Sequence, residues 1–376
     1  MADFSLKAAA GQALVAGFGA EGPPPALRQA LRQGELGGVI LFKRNVGEPE
    51  QVAALVDSIA REAPGDQPPL VAVDQEGGRV ARLGPPVIQL PPMRRLGEQD
   101  DAAATRDAAR RLGAQLRALG FTMDFAPVLD VDTNPDNPII GDRSFGRTPE
   151  VVIRHALAFA EGLGEGGVLS CGKHFPGHGD TDLDSHLALP RLPHDRARLD
   201  RIELAPFRAA VGRIPSIMTA HVVFEALDPG VPATLSRKVV TDLLRGELGY
   251  DGVVVSDDLE MKAVSERWGI PEAAVAAVEA GCDVVLVCSQ VEACLAAHEA
   301  LVRRAERDAG FAERLQEAAR RSLSLRSAVP PRPITDPDTL RAELARCGAP
   351  GRPDGEASTA DGPPPSCGVR PHDRRK

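Results

Sequence analysis

Residues 252–258 read GVVVSDD, three consecutive valines that run into a serine and two aspartates. A run this short, β-branched and apolar at successive positions suits a strand buried on both faces. It ends in carboxylates, so the polar groups sit at its C-terminal end. Seven further runs share the build: ALVAGFG (13–19), GGVILF (37–42), PLVAVD (69–74), FTMDFAP (121–127), VLSCGKHF (168–175), IPSIMTAH (214–221) and DVVLVC (283–288). Longer segments rich in Ala, Leu, Arg and Glu separate them and read as helices. Examples are 101–119, 148–163, 236–247 and 272–280, with 291–306 and 311–323 after the last strand.

Apolar strands alternating with helices imply a parallel sheet covered on both faces. A chain of 376 residues admits one large barrel or two ordinary domains. Eight repeats point to an α/β fold closed as a (β/α)8 TIM-type barrel, although a doubly wound sheet has the same local pattern. The polar residues choose between them. Asp74, Asp124, Lys173, His174, His221, Asp257 and Asp258 all fall at or near C-terminal ends of different strands. In a barrel those ends converge on one mouth, whereas an open sheet spreads them along an edge. Two long excursions, 75–100 and 175–194, are expected to carry binding groups above that mouth. The barrel is assigned to residues 1–328, a C-terminal extension with a short helix near 336–346 to 329–346, and a Pro/Gly-rich disordered tail to 347–376.

A formal charge of −9 with scattered basic residues argues against a nucleic-acid surface. No run approaches 18 uninterrupted apolar residues and the N-terminus does not read as a signal peptide, so a cytoplasmic protein without a membrane span is expected. The six cysteines show no C-x2-C spacing and read as reduced thiols.

The densest polar segment is KHFPGHGDTDLDSH, residues 173–186. Its proline and glycines forbid a regular helix, so His174 and His178 are not a helical metal pair, and no metal is assigned. A serine-hydrolase reading is weak, because Ser185 lies between its supposed partners and no Gly-x-Ser-x-Gly elbow occurs. Asp184 and His186 instead form a carboxylate–imidazole pair suited to proton transfer. In 252–258, one aspartate is expected to face the barrel axis and act on an anomeric carbon, and the other to anchor the turn. VDQEGGRVARL (73–83) adds Asp74, Arg79 and Arg82, and NPIIGDRSFG (137–146) adds Arg143. These residues suit hydrogen bonding to sugar hydroxyls.

Four segments in order, LFKRN (41–45), VDQEGGRVARL, KHFPGHGDTDLDSH and VVVSDDLEM (253–261), make the chain resemble a bacterial β-N-acetylhexosaminidase of glycoside hydrolase family three over roughly residues 8–325. The resemblance implies a retaining mechanism with Asp257 as nucleophile, His186 as acid/base and Asp184 as its orienting partner. It places Asp74, Arg82, Arg143, Lys173 and His174 around the terminal sugar, with loop 176–186 closing over it. It implies no cofactor, and a muropeptide or amino-sugar substrate, GlcNAc-1,6-anhydro-MurNAc peptides, acted on in the cytoplasm during cell-wall recycling. A monomer is expected, with neither nucleic acid nor membrane as partner. Rival readings are a β-glucosidase, a phosphorylase or transglycosylase using the same intermediate, and a non-catalytic sugar-binding protein.

Overall fold

The computed structural model of the chain describes residues 4–19, 22–185, 188–334 and 336–349. All eight runs form strands: β1 (Leu14–Ala16), β2 (Gly38–Leu41), β3 (Leu70–Val73), β4 (Met123–Asp124), β5 (Leu169–Phe175), β6 (Ser216–Thr219), β7 (Val253–Asp258) and β8 (Val284–Val287). Each pairs in parallel with its neighbours in sequence, and β8 closes on β1 to complete a barrel. The doubly wound alternative is thereby excluded.

Strand alternation sorts the side chains into two cores. Val15, Ile40, Ala72, Met123, Cys171, Met218, Val255 and Leu286 point inward and fill the barrel. Leu14, Val39, Val71, Ile217, Val254 and Val285 point outward into the larger core beneath the helices. Both faces are therefore apolar, which is why the strands read as unbroken hydrophobic runs rather than as alternating ones.

The expected helices form at Ala102–Ala118, Pro149–Glu165, Ile270–Ala280, Val291–Arg307 and Ala309–Ala328. Lys238–Glu247 is also helical but wound more widely, with Leu248 N–H donating to Leu243 O. The excursion 75–100 contains a helix that sequence reading left out, Met93–Gln99. The extension forms Pro337–Gly348, whose buried Leu340 and Leu344 face the barrel and whose Leu344 carbonyl accepts from Gln115 Nε2 at 2.7 Å. The part of the expected tail beyond Ala349 lies outside the described residues. Cys171, Cys282, Cys288 and Cys294 are buried free thiols. No helix among the described residues is long and apolar enough to cross a membrane.

At two strands the regular pairing breaks, and both breaks matter for the site. On β5, Lys173 pairs with Met218 but Phe175 pairs with the very next residue, Thr219, so His174 is an extra residue. On β7, Val255 pairs with Val284 but Asp258 pairs with Leu286, so three residues span what two span on β8. Such bulges bend the strand and re-aim its side chains.

The opposite end of the barrel is tied by Asp283, which is fully buried. Its Oδ2 accepts from Arg245 Nη2 at 2.5 Å and from the Val254 amide at 2.9 Å, while Oδ1 accepts from Arg314 Nη2 at 2.8 Å. Removing one partner of a buried charge cluster leaves the others uncompensated. Asp283→Ala is therefore expected to lower the unfolding free energy by about 3 kcal/mol, read as a fall in urea midpoint at unchanged slope.

Candidate active site

The mouth of the barrel is organised around Lys173, whose side chain is 3% exposed. Its Nζ donates to Asp74 Oδ1 at 2.8 Å and lies 2.6 Å from Glu76 Oε1. Asp74 and Glu76 reach it together because they extend the inward parity of β3, after Leu70 and Ala72. Glu76 is also held by a two-pronged contact from Arg143, Nε to Oε2 at 2.9 Å and Nη2 to Oε1 at 2.8 Å. Arg82 Nη2 donates to Asp74 Oδ2 at 3.2 Å. Burial opposes ionisation of Glu76, but the Arg143 and Lys173 cations overcome it and hold the carboxyl well below the usual range. Burial likewise opposes the charge on Lys173 and on Arg143, and the facing carboxylates, Asp74 and Glu76 for the first and Glu76 for the second, raise both.

A second anchor is Asp130, buried in the segment after β4. Its Oδ1 accepts the amides of His174 at 3.2 Å and His178 at 2.7 Å, and its Oδ2 lies 2.7 Å from His174 Nδ1. The bulge on β5 thus turns His174 beside Lys173 in the wall of the mouth, while Asp130 holds its Nδ1. The loop after β5 is packed down as far as Thr181. A Cβ on Gly179 would stand 1.9 Å from Val131 O, so only glycine allows this approach. Burial lowers His178 to about 4, so its ring is neutral at pH 7. Its Nδ1 contacts Thr181 Oγ1 at 2.8 Å and its Nε2 contacts Ser185 Oγ at 3.0 Å. Ser185 O also accepts from Ala263 N–H at 3.2 Å, which joins this loop to the segment following β7.

The bulge on β7 corrects one expectation. Regular alternation sends Asp257 and Asp258 to opposite sides, yet both border the mouth, because the extra residue breaks the alternation. Their surroundings separate them. Asp258 Oδ1 accepts from Glu260 N–H at 3.1 Å and Cys288 N–H at 3.2 Å, which anchors the turn as expected. Burial, reinforced by the Glu260 and Asp257 charges, pushes its carboxyl up to about 7. Asp257 is opposed by burial too, but the His221 and His174 imidazoles, the Asp258 amide and Lys173 bring it below the usual carboxylate range. One of the adjacent acids is thus ionised at neutral pH while the other retains much of its proton.

Together these groups enclose a cavity of about 180 Å³ lined by Asp74, Glu76, Arg82, Arg143, Lys173, His174, His178, Ser185, Asp257 and Asp258, with Phe42, Met261 and Cys288 as apolar wall. Six sequence-predicted residues, Asp74, Arg82, Arg143, Lys173, His174 and Asp257, meet there. Asp184 is half-buried beside Ser185 and is not among the lining residues, and His186 lies outside the described residues. Glu76, Asp130 and His178 were missed as site residues. The signal for Glu76 was available, since it stands two residues after Asp74 on the same strand face. Asp130 carried no such mark, because its partners come from a loop far along the chain.

A carboxylate at a barrel mouth facing a cationic, hydrogen-bonding wall is an arrangement suited to chemistry on a sugar, and comparisons with known proteins show the family. Residues 14–325 match the glycosyl hydrolase family 3 N terminal domain. This chain belongs to glycosyl hydrolase family 3. As a family member it is a glycoside hydrolase. It is 45% identical over 273 residues to a β-hexosaminidase of Alkalilimnicola ehrlichii, covering 71% of this chain and 77% of that one. Among solved structures, the family 3 β-N-acetylglucosaminidase of a Paenibacillus species superposes with a TM-score of 0.84 at 43% identity, covering 92% of this chain and 68% of that one. NagZ of Neisseria gonorrhoeae in complex with N-trifluoroacetyl-D-glucosamine does so with a TM-score of 0.71 at 33% identity, covering 89% and 97%.

Glu76→Gln should expose what the family 3 charge network contributes. The folded-state proton affinity of Glu76 is depressed, so its contribution is present above the unfolded pKa of about 4.3 and is lost as pH falls below it. The variant should be less stable than the parent by about 3 kcal/mol at pH 7. That gap should narrow progressively below pH 4 in urea titrations.

Proposed function

We propose that this family 3 glycoside hydrolase is a β-N-acetylhexosaminidase that removes terminal N-acetylglucosamine with retention of configuration through a covalent glycosyl-enzyme. The observation that carries the proposal is the state of the β7 pair. Asp257 is ionised and borders the cavity, while its neighbour Asp258 is fixed by two amides and holds its proton to about pH 7. An ionised Asp257 can attack the anomeric carbon as the bond to the leaving oxygen breaks. His186 gives that oxygen a proton and then takes one from the water that cleaves the glycosyl ester, and Asp184 orients the imidazole. The position of Ser185 in the cavity wall, hydrogen-bonded to His178 and joined to Ala263, supports a role at the sugar for the loop that bears this pair.

Asp74, Arg82, Arg143, Lys173 and His174 bind the sugar ring. Asp74, which also accepts from the Lys173 ammonium, accepts from hydroxyls, and His174, held at Nδ1 by Asp130, lines the cavity beside it. Arg143 contributes through Glu76, to which it is bound from both prongs. The choice of an N-acylated amino sugar is supported by the named β-hexosaminidase relatives and by the amino sugar bound in the gonococcal structure. For the natural substrate we extend the motif resemblance to GlcNAc-1,6-anhydro-MurNAc peptides, with the anhydro-MurNAc peptide as leaving group, hydrolysed in the cytoplasm by a monomer with neither nucleic acid nor membrane as partner.

Incubation with a fluorinated N-acetylglucosaminyl probe and peptide mapping tests the nucleophile, and the expected adduct is on Asp257. An adduct on Asp258 would transfer the role to its neighbour. Asp257→Ala should reduce kcat/KM for p-nitrophenyl β-N-acetylglucosaminide by at least about 10³-fold. His186→Ala should cost about 10²–10⁴-fold on a disaccharide and much less on the p-nitrophenyl substrate, whose leaving group needs no proton. Preference for the matching glucoside, or sugar 1-phosphate as main product in phosphate buffer, would reject the assignment.

A further inference from the structure

Asp124, at the end of β4, is fully buried and has no part in the mechanism above. It lies behind the mouth, paired in register with Val73 of β3. Its Oδ1 accepts the amide of Gln75 at 2.9 Å, and its Oδ2 has no hydrogen-bond partner among the described residues. Among the described residues, the charged and titratable groups facing it are Asp74 and Glu76 from the segment after β3 and Lys173 and Cys171 from β5. The Lys173 ammonium is already engaged by Asp74 and Glu76.

Gln75 is the pivot of the sugar-facing loop. Its Oε1 accepts from the amides of Arg82 at 2.7 Å and Leu83 at 3.0 Å, and its Nε2 donates to Leu83 O at 3.2 Å. The peptide held by Asp124 therefore separates Asp74 from Glu76 and sets where Arg82 leaves the loop. An ionised carboxylate with one oxygen buried and unpaired is a costly arrangement, and such a group takes up a proton instead. We propose that Asp124 is a positioning residue that works as an uncharged acid, holding the Gln75 peptide so that Asp74 and Glu76 meet Lys173, and that its ionisation loosens the sugar subsite. The proton-affinity balance agrees. Burial pushes Asp124 up to about 8, and the Asp74 and Glu76 charges add to burial against the opposing Gln75 amide and Lys173. Loss of the proton places a third carboxylate beside Asp74 and Glu76 and competes with them for one ammonium.

The sugar-binding half of this inference rests on the proposed β-N-acetylglucosaminidase activity; the protonation half does not. The test compares the full chain with Asp124→Asn, which keeps an oxygen for the Gln75 amide and cannot ionise. In the wild type the folded state holds a proton that the unfolded state releases above about pH 4. Wild-type stability therefore falls relative to the variant as pH rises toward about 8, and the difference is constant beyond that value. Thermal unfolding between pH 5 and 9 should show the variant gaining on the wild type up to pH 8 and then running parallel. A gap independent of pH overturns the uncharged acid without reference to any substrate. With p-nitrophenyl β-N-acetylglucosaminide, wild-type KM should rise above pH 8, by up to about tenfold per pH unit when only the uncharged form binds, with kcat little changed. Asp124→Asn should abolish that rise, and Asp124→Ala should raise KM already at pH 7. Titration of Asp258 is common to wild type and Asn variant and cancels in the comparison. A KM rise shared by both overturns the link between Asp124 and the subsite.

Discussion

A single ammonium, that of Lys173, is the constraint around which the mouth of this barrel is arranged. Removing a charge from water costs several kcal/mol, and here the cost is offset by two carboxylates within hydrogen-bond reach. Each carboxylate is in turn tied to a guanidinium, Asp74 to Arg82 and Glu76 to Arg143. Positive and negative groups alternate from Arg82 through Lys173 to Arg143, so no member can be removed without exposing another. The arrangement depends on β3 and β5 presenting their inward faces at one height, which a closed parallel barrel provides and an open sheet edge does not.

Strict alternation permits each strand only one inward residue in two. Bulges relax that limit where the chemistry is densest. On β5 the extra residue turns His174 to the mouth beside Lys173, and on β7 it turns Asp258 to the mouth beside Asp257. Two like-charged acids side by side cannot both ionise cheaply, and their unequal amide and imidazole neighbours decide which keeps its charge. Packing of the Gly179 loop against Val131 and the Asp130 contacts accompany the placement of Ser185 in the wall of the same cavity.

The barrel was readable because strand-forming runs and helices alternate eight times and polar residues end the runs on a common side. Asp74, Lys173, His174 and Asp257 were readable for the same reason, since each lies at or near the C-terminal end of a strand. What escaped is what depends on pairing rather than on composition. Nothing in VVVSDD says that β8 spans it with one residue fewer, so Asp258 could not be assigned to the cavity. Asp130 and His178 gain their roles from a contact across 48 residues, and such partners carry no local pattern. The helix Met93–Gln99 was hidden within a stretch whose prolines, Pro91 and Pro92, lie immediately before it, where they end the preceding loop rather than break the helix.

The bulge on β7 also affects how the site can change over evolutionary time. Its presence is a matter of how many residues lie between two hydrogen-bonded partners, not of which residues they are. A point substitution there alters the group presented but leaves two adjacent side chains at the mouth. Only a deletion restores even pairing and turns one of them away. Placement at the mouth is thus set by chain length between the paired residues, while the chemistry proposed for Asp257 sets its identity, and only the Asp258 position has room to vary in its proton affinity.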